Sequence, residues 1–151
     1  MPAITPFLWF DTQAEDAMHF YTSVYEHSKV VSVNRAEGRV MSVTFELEGQ
    51  RFMALNAGPL FKFSEAISFF VGCDTQQDID RLWQKLTADG GAPGRCGWLK
   101  DKFGLSWQIV PNTLGGMIGD KDAAKSKRVV DAMLQMEKLD ITRLRQAYDG
   151  E

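Results

Sequence analysis

The sequence predicts an α+β fold made of paired βαβββ modules, the second one shortened, followed by a C-terminal helical extension. Three observations support this prediction. An aromatic strand, the triplet Asp-Thr-Gln and an amphipathic helix occur in the same order in segments 7–25 and 67–86. Short strands with alternating apolar residues follow each of these helices. Beyond Pro111 the apolar residues recur at helical spacing to the end of the chain.

The first module begins with FLWFDTQAEDAMHFYTSVY, which reads as a strand followed by a helix. Thr12 and Glu15 have the N-cap to N3 spacing of a capping box, which predicts the helix start. Three further strands are predicted at 28–33, 39–48 and 51–56, with a turn between the last two. The buried face of the helix is predicted from its spacing to be Ala14, Ala17, Met18, Tyr21 and Val24.

The second module repeats this order in ISFFVGCDTQQDIDRLWQKL. Thr75 and Asp78 again have the spacing of a capping box, in which Asp is a weaker partner than Glu. After the helix only two strands, 94–101 and 105–111, are predicted, so one of the expected three is trimmed or lost. The shared order of strand, cap and helix supports an internal duplication.

The stretch WLKDKFGLSWQIV predicts a strand, a tight turn and a second strand. Gly104 can take the positive φ that such a turn needs. After the turn, apolar residues alternate with Ser106 and Gln108, which places an uncharged amide in the middle of a strand rich in large apolar residues.

The helical extension is predicted to contain one helix within 120–138 and a last helix capped by Asp140. The predicted organisation is therefore a domain over 1–111, with modules 1–58 and 64–111, followed by the extension 112–151. From its apolar residues, the extension is either a docked appendage or a contact surface in a dimer.

Composition bounds the partners and the compartment. The 151 residues are 44% hydrophobic and 25% charged with a net charge of −3, so neither nucleic acid nor a membrane is predicted as a partner. The first ten residues lack the charged and apolar regions of a signal peptide. Cys73 and Cys96 are too few for a disulfide framework or a zinc knuckle, which predicts free thiols and a cytoplasmic protein.

The strings ITPFLWFD, AEDAMHFY, GQRFMALNAGP, FKFSEAISF and CGWLKDKFGLSWQIVP resemble one branch of the vicinal oxygen chelate superfamily. That superfamily contains glyoxalases, bleomycin-resistance proteins and extradiol dioxygenases, and the branch is called PhnB-like or 3-demethylubiquinone 3-methyltransferase-like. The resemblance implies that the modules form a curved sheet around a cavity and that the protein is a homodimer. Family membership alone assigns no reaction.

In metal-dependent members of the superfamily, His and Glu side chains from four strands hold one divalent ion. The resemblance places Thr5 or a neighbour, Ala66 and Gln108 at three of those positions, and the fourth falls within 54–56. Neutral side chains do not compete with His and Glu for a divalent ion. Neither a metal site nor a cofactor is therefore predicted, and Gln108 is interpreted as the uncharged remnant of a metal ligand.

Strand parity groups residues of both modules around the implied cavity. The predicted pocket-lining residues are Thr5, Phe7, Trp9, Asn56, Ala66, Ser68, Phe70, Trp98, Ser106 and Gln108. Aromatic residues with a few amides and hydroxyls are typical of a small-molecule site. The alternative is that the aromatic residues simply fill the curved sheet as core. No catalytic residue is predicted: His19 is expected at the surface, and Asp11 and Asp74 at helix starts.

Three hypotheses about function remain. The favoured one is a metal-free protein that binds or sequesters a small, partly aromatic molecule. The second is an enzyme of the superfamily, or of the methyltransferase-like branch, that orients a small aromatic or oxygenated substrate with Gln108, Ser106 or Asn56. No Gly-rich nucleotide-binding loop supports the methyltransferase reading. The third is a dimeric scaffold with a closed cavity. Ligand affinity without turnover distinguishes the first from the second.

Overall fold

The computed structural model describes residues 1–151, and the chain divides into two compact units, Met1–Phe63 and Ser64–Glu151. Each unit contains one four-stranded open sheet, and the C-terminal helices belong to the second unit. The predicted α+β class with two βαβββ modules and a helical extension is confirmed. The boundary between the units falls between the two predicted modules.

The first unit follows the predicted order of elements. They are β1 (Phe7–Phe10), α1 (Ala14–Val24), β2 (Ser28–Ala36), β3 (Arg39–Leu47) and β4 (Gln50–Asn56). The sheet order is β1-β4-β3-β2, with β1 parallel to β4 and the other pairs antiparallel. The predicted apolar stripe of α1 is completely buried, because the helix packs its inner face on the sheet.

The start of α1 differs from the prediction. The helix begins at Ala14, and no side chain of the preceding segment caps it. The Ala14 N–H instead donates to the Asn56 Oδ1 atom at 2.8 Å, and Glu15 forms an ion pair with Arg35. The predicted capping box of Thr12 and Glu15 is therefore wrong, because an amide at the end of β4 satisfies the orphan N–H group that a local hydroxyl was expected to satisfy.

The second unit contains all three strands after its helix. Its elements are β5 (Ser68–Cys73), α2 (Gln76–Thr87), β6 (Ala92–Pro93), β7 (Trp98–Lys100) and β8 (Ser106–Pro111), in the sheet order β5-β8-β7-β6. The sequence predicted that one strand of this module is either shortened or absent. The strand is present but shortened, since β6 has only two residues. Pro93 has no N–H for the ladder, and the positive φ of Cys96 and Gly97 turns the chain before β7.

The start of α2 agrees with the prediction. Thr75 is the N-cap residue, and its Oγ1 atom accepts the Asp78 N–H at 3.1 Å. The apolar stripe of α2 packs on β7 and β8 through Ile79, Leu82 and Leu86, which are buried. Trp83 is half-buried at the margin of that face.

The extension forms α3 (Leu114–Ile118), α4 (Ala123–Met133) and α5 (Ile141–Asp149), and the Asp140 side chain caps α5 as predicted. Its core consists of Val110, Leu114, Met117, Val129, Met136, Leu139 and Leu144. The Gln76 side chain joins the extension to α2, because it donates to the Leu139 carbonyl and accepts the Ile141 N–H. The extension is therefore docked within the second unit. None of the five helices combines the length and the apolar content that crossing a membrane requires.

Candidate functional site

The predicted pocket residues of the first unit lie around β1. Phe7 and Trp9 alternate with Leu8 and Phe10, which are buried, and Phe7 is 54% exposed. The Trp9 ring meets the edge of the Phe61 ring with centroids 4.9 Å apart, and its Nε1–H donates to the Gly58 carbonyl. These contacts hold an aromatic, partly exposed face, and Thr5 precedes it in the chain.

Asn56 does not share that face. The register pairs Asn56 with Phe10, whereas Trp9 pairs with Leu55. Paired residues point to the same side of a sheet, so Asn56 lies on the face that carries the buried Phe10. Its amide is used there, since Oδ1 accepts the Ala14 N–H and Nδ2 donates to the Val40 carbonyl. The expected grouping of Asn56 with Trp9 is corrected on this point, because sequence alone did not reveal the register between β1 and β4.

A cleft of about 600 Å³ lies beside Asn56 in the first unit. It is formed by the end of β1, the start of α1 and the β2–β3 hairpin, with the lining residues Asp11, Thr12, Glu15, Asp16, Arg35, Gly38, Arg39, Val40, Met41, Asn56 and Gly58. The Glu15–Arg35 ion pair, 2.6 Å long, is part of this lining. The cleft is therefore charged and contains Asn56 but no other predicted pocket residue.

The second unit brings five predicted residues together on one face of its sheet. Ser68 is in register with Ser106, and Gln108 is in register with Phe70 on one side and with Trp98 on the other. The Gln108 Nε2–H donates to the Ser68 Oγ atom at 2.9 Å. Phe70 is 64% exposed, and Gln108 and Trp98 are half-buried. This group, Ser68, Phe70, Trp98, Ser106 and Gln108, is called the Gln108 face below. Ala66 precedes it and is exposed.

The Gln108 face has hydrogen-bonding capacity that the protein does not use. The Gln108 amide donates one N–H to Ser68, and its Oε1 atom has no partner in the protein. Ser106 is only 1% exposed, and its Oγ atom has no hydrogen-bond partner. Buried polar groups are normally hydrogen-bonded, so an unused buried hydroxyl beside an unused carbonyl is a feature of this face that needs a function.

An ion pair lies at the same level of the sheet as Ser106. Lys100 is in register with Ser106 on β7, and its ammonium group pairs with Glu65, which precedes β5. Since β5 and β7 are the two neighbours of β8, the pair joins them where β8 begins. The hydrogen bond from Lys100 lowers the pKa of Glu65. Both side chains are exposed, so the pair adds little to stability and is free to rearrange.

Asp101 holds the turn that leads into β8. Its Oδ1 atom accepts the N–H groups of Phe103 and Leu105, and its Oδ2 atom accepts the Trp107 Nε1–H at 2.9 Å. Gly104 has φ +87°, as predicted for this turn. Asp101 is therefore part of the predicted turn, and the sequence analysis missed its bond to Trp107. An Asp followed by a turn Gly and a strand Trp is the local signal of this arrangement.

The donor groups of the chain do not fit the superfamily's divalent ion. Thr5, Ala66 and Gln108 carry neither carboxylate nor imidazole, and neither does any residue in 54–56. No three His, Cys, Asp or Glu side chains are grouped so that they could hold an ion. Since hydroxyl and amide groups are poor ligands for such ions, no step of the proposed function is assigned to a metal.

The other reactive or charged residues that the sequence singles out are buried, exposed or hydrogen-bonded, and none of them belongs to the Gln108 face. Burial raises the pKa of the Cys73 thiol to about 11, which keeps it protonated and unreactive at neutral pH. His19 is exposed on α1. The Asp74 carboxylate accepts a hydrogen bond from the Asn112 amide at 2.7 Å, and Asp11 is exposed at the end of β1.

Comparison with known proteins places the chain among relatives. A family model described as 3-demethylubiquinone-9 3-methyltransferase matches residues 2–110, which ends before the C-terminal helices. The PhnB protein from Bacillus cereus is 37% identical with a TM-score of 0.68, and the match covers 73% of this chain and 99% of that protein.

Two more distant solved structures share the fold. Protein PA1353 from Pseudomonas aeruginosa is 18% identical with a TM-score of 0.60, over 74% of this chain and 98% of its own. The fosfomycin resistance protein FosX from Mesorhizobium loti is 13% identical with a TM-score of 0.52, over 72% and 91%. A search of the curated proteins found no match.

Proposed function

The chain belongs to the 3-demethylubiquinone-9 3-methyltransferase family, within the glyoxalase and bleomycin-resistance superfamily, and from this premise we propose that it binds a small, partly aromatic molecule without a metal ion. The observation that supports this proposal is the Gln108 face. It presents a neutral amide, oriented by its bond to Ser68, at the position where the resemblance places a metal-ligating Glu.

The chemistry of this face suits an uncharged aromatic ligand. Phe70 and Trp98 lie in register with Gln108 on the two neighbouring strands. A planar ligand bound to the Gln108 amide would therefore contact one aromatic side chain on each side. Aromatic contacts supply buried apolar area, and a small number of polar groups fixes the ligand's orientation. An amide does this without a counter-ion, whereas a carboxylate at the same place would need one.

The first test is ligand binding followed by thermal shift. Among small aromatic molecules, nucleotides and S-adenosylmethionine, we expect at least one aromatic molecule to raise the Tm. Replacement Gln108→Leu should weaken its binding about five- to tenfold, because one ligand hydrogen bond is lost. Gln135→Leu, an exposed residue after α4, is the matched control and should bind as the wild type does. A screen in which no molecule raises the Tm would contradict the proposal. Turnover of a bound molecule would favour the enzyme hypothesis.

The second test concerns the metal. Dialysis against a chelator should leave the Tm unchanged, and added Ni²⁺, Zn²⁺ or Mn²⁺ should not raise it, because the candidate positions carry neutral side chains. The measurement is the Tm of the intact chain before and after each treatment. A metal-induced rise of several degrees would show that ligands come from other positions.

The homodimer that the resemblance implies stays a prediction. Large apolar side chains such as Leu60 and Ile67 are exposed, and they support association with a second copy, since burial of apolar surface is favourable. Under the scaffold hypothesis, a dimer contact formed by the C-terminal extension would be the whole function, and no small molecule would bind.

A further inference from the structure

The unpartnered Ser106 hydroxyl carries an inference that rests on the proposed function and deepens it. A buried hydroxyl without a hydrogen bond lowers stability, and alanine at the same place would avoid that penalty. Ser106 lies on the Gln108 face, in register with Ser68 and two residues before Gln108 on the same strand. The hydroxyl is therefore positioned beside the amide that the proposed function uses.

We propose that Ser106 is a specificity-determining residue, whose hydroxyl donates a hydrogen bond to an uncharged oxygen of the ligand while Gln108 Oε1 accepts one from a neighbouring N–H or O–H. One donor and one acceptor side by side complement a primary amide. The Gln108 Nε2–H group is bound to Ser68 at 2.9 Å, so in this orientation Oε1 is the acceptor that remains for the ligand. The site thereby selects neutral polar aromatic molecules over carboxylates of the same shape.

The charges around Ser106 support this selection. Lys100 is the cation at the level of Ser106, and Glu65 already neutralises it. A carboxylate ligand would bring a net negative charge to a partly buried face. One of its oxygen atoms would also face the Gln108 carbonyl oxygen, and neither of these two acceptors carries a hydrogen to donate. Removing an ion from water without a partner is far less favourable than removing an amide.

In this proposal the ligand reaches the buried hydroxyl past the Lys100–Glu65 ion pair, which is at the same level of the sheet. The pair joins the strands on either side of β8 at the point where β8 begins with Ser106. Both side chains are long and exposed, so they can move aside together while Glu65 still neutralises Lys100.

The first experiment measures Ser106→Ala in the absence of any ligand. If the hydroxyl has no structural partner, the Tm should be unchanged or rise by about 2–4 °C. Ser32→Ala, at an exposed position of β2, is the control for loss of a hydroxyl from a strand. A clear fall in Tm for Ser106→Ala alone would show that the hydroxyl serves the fold, and it would overturn the inference.

The second experiment compares benzamide with benzoate, which have nearly the same shape and differ in charge. We expect the wild type to bind benzamide at least tenfold more tightly by calorimetry, and Ser106→Ala to reduce this preference severalfold. Equal or tighter binding of benzoate, or an unchanged preference in Ser106→Ala, would overturn the inference.

The two proposals fail in different ways. If the thermal-shift screen finds an aromatic ligand but benzamide has no advantage over benzoate, or does not bind, this inference fails and the proposed function stands. If no aromatic molecule binds in either experiment, the proposed function fails and the inference with it. The Tm of ligand-free Ser106→Ala tests the inference separately from any choice of probe.

Discussion

Replacement of Asp101 by alanine is expected to lower the free energy of unfolding by about 3–5 kcal/mol. Asp101 is 2% exposed, and its carboxylate accepts hydrogen bonds from two backbone N–H groups and from the Trp107 indole. Alanine would leave these donors without their acceptor, and buried donors without partners are more unfavourable than the loss of the bonds alone. Urea denaturation of the intact chain, followed by circular dichroism, measures the change.

Asp101→Asn separates the chemistry of the carboxylate from its volume. The amide has one oxygen and one NH₂ group, so in either orientation an N–H group meets another N–H donor. We expect a loss of about 1–3 kcal/mol. Asp89→Asn, an exposed residue in the turn after α2, is the matched control and should change stability by less than about 0.5 kcal/mol. Wild-type stability for Asp101→Asn would contradict the assigned role of the carboxylate.

Replacement Leu144→Ala should lower the free energy of unfolding by about 2–5 kcal/mol. Leu144 is fully buried in α5, in the cluster that joins the extension to Val110 at the end of β8. Removing its side chain loses apolar burial and leaves a cavity in a core that the extension and the second sheet share. The measurement is again urea denaturation, with the slope of the transition recorded.

The control for this substitution is Leu134→Ala, because Leu134 is 48% exposed at the end of α4. It should lower stability by less than about 1 kcal/mol, since most of its surface is already in water. Equal effects of the two substitutions would contradict the assigned role of Leu144 in the core of the extension. A separate early transition in Leu144→Ala would show that the extension unfolds by itself.

The two helix starts show where sequence reasoning was sufficient. Thr75 caps α2 as its spacing predicted, whereas Thr12 does not cap α1, although both follow an Asp and precede Gln. The difference comes from Asn56, which is distant in the chain and takes the N–H of Ala14. A local motif predicts a cap only where no side chain from another strand reaches the same N–H group.

The Gln108 face likewise shows which features local sequence patterns predict and which depend on the tertiary structure. Alternation along β8 predicted that Ser106 and Gln108 share a face, and the structure pairs them with Ser68 and Phe70 through the parallel register with β5. That register and the Lys100–Glu65 ion pair depend on how strands align, so no local pattern contains them. Asn56 was grouped with the wrong face for the same reason.

By itself the sequence determined the order of strands and helices in the first unit, the positive φ at Gly104, the buried stripe of α1 and the neutral side chains at the positions where the resemblance places metal ligands. These features depend on residues a few positions apart, and neighbouring residues act on each other in nearly every conformation of the chain. Only the tertiary structure decided that Asn56 caps α1, that Asp101 is buried and that the Ser106 hydroxyl is left without a partner. These depend on strand register and packing, which bring together groups that the chain keeps far apart.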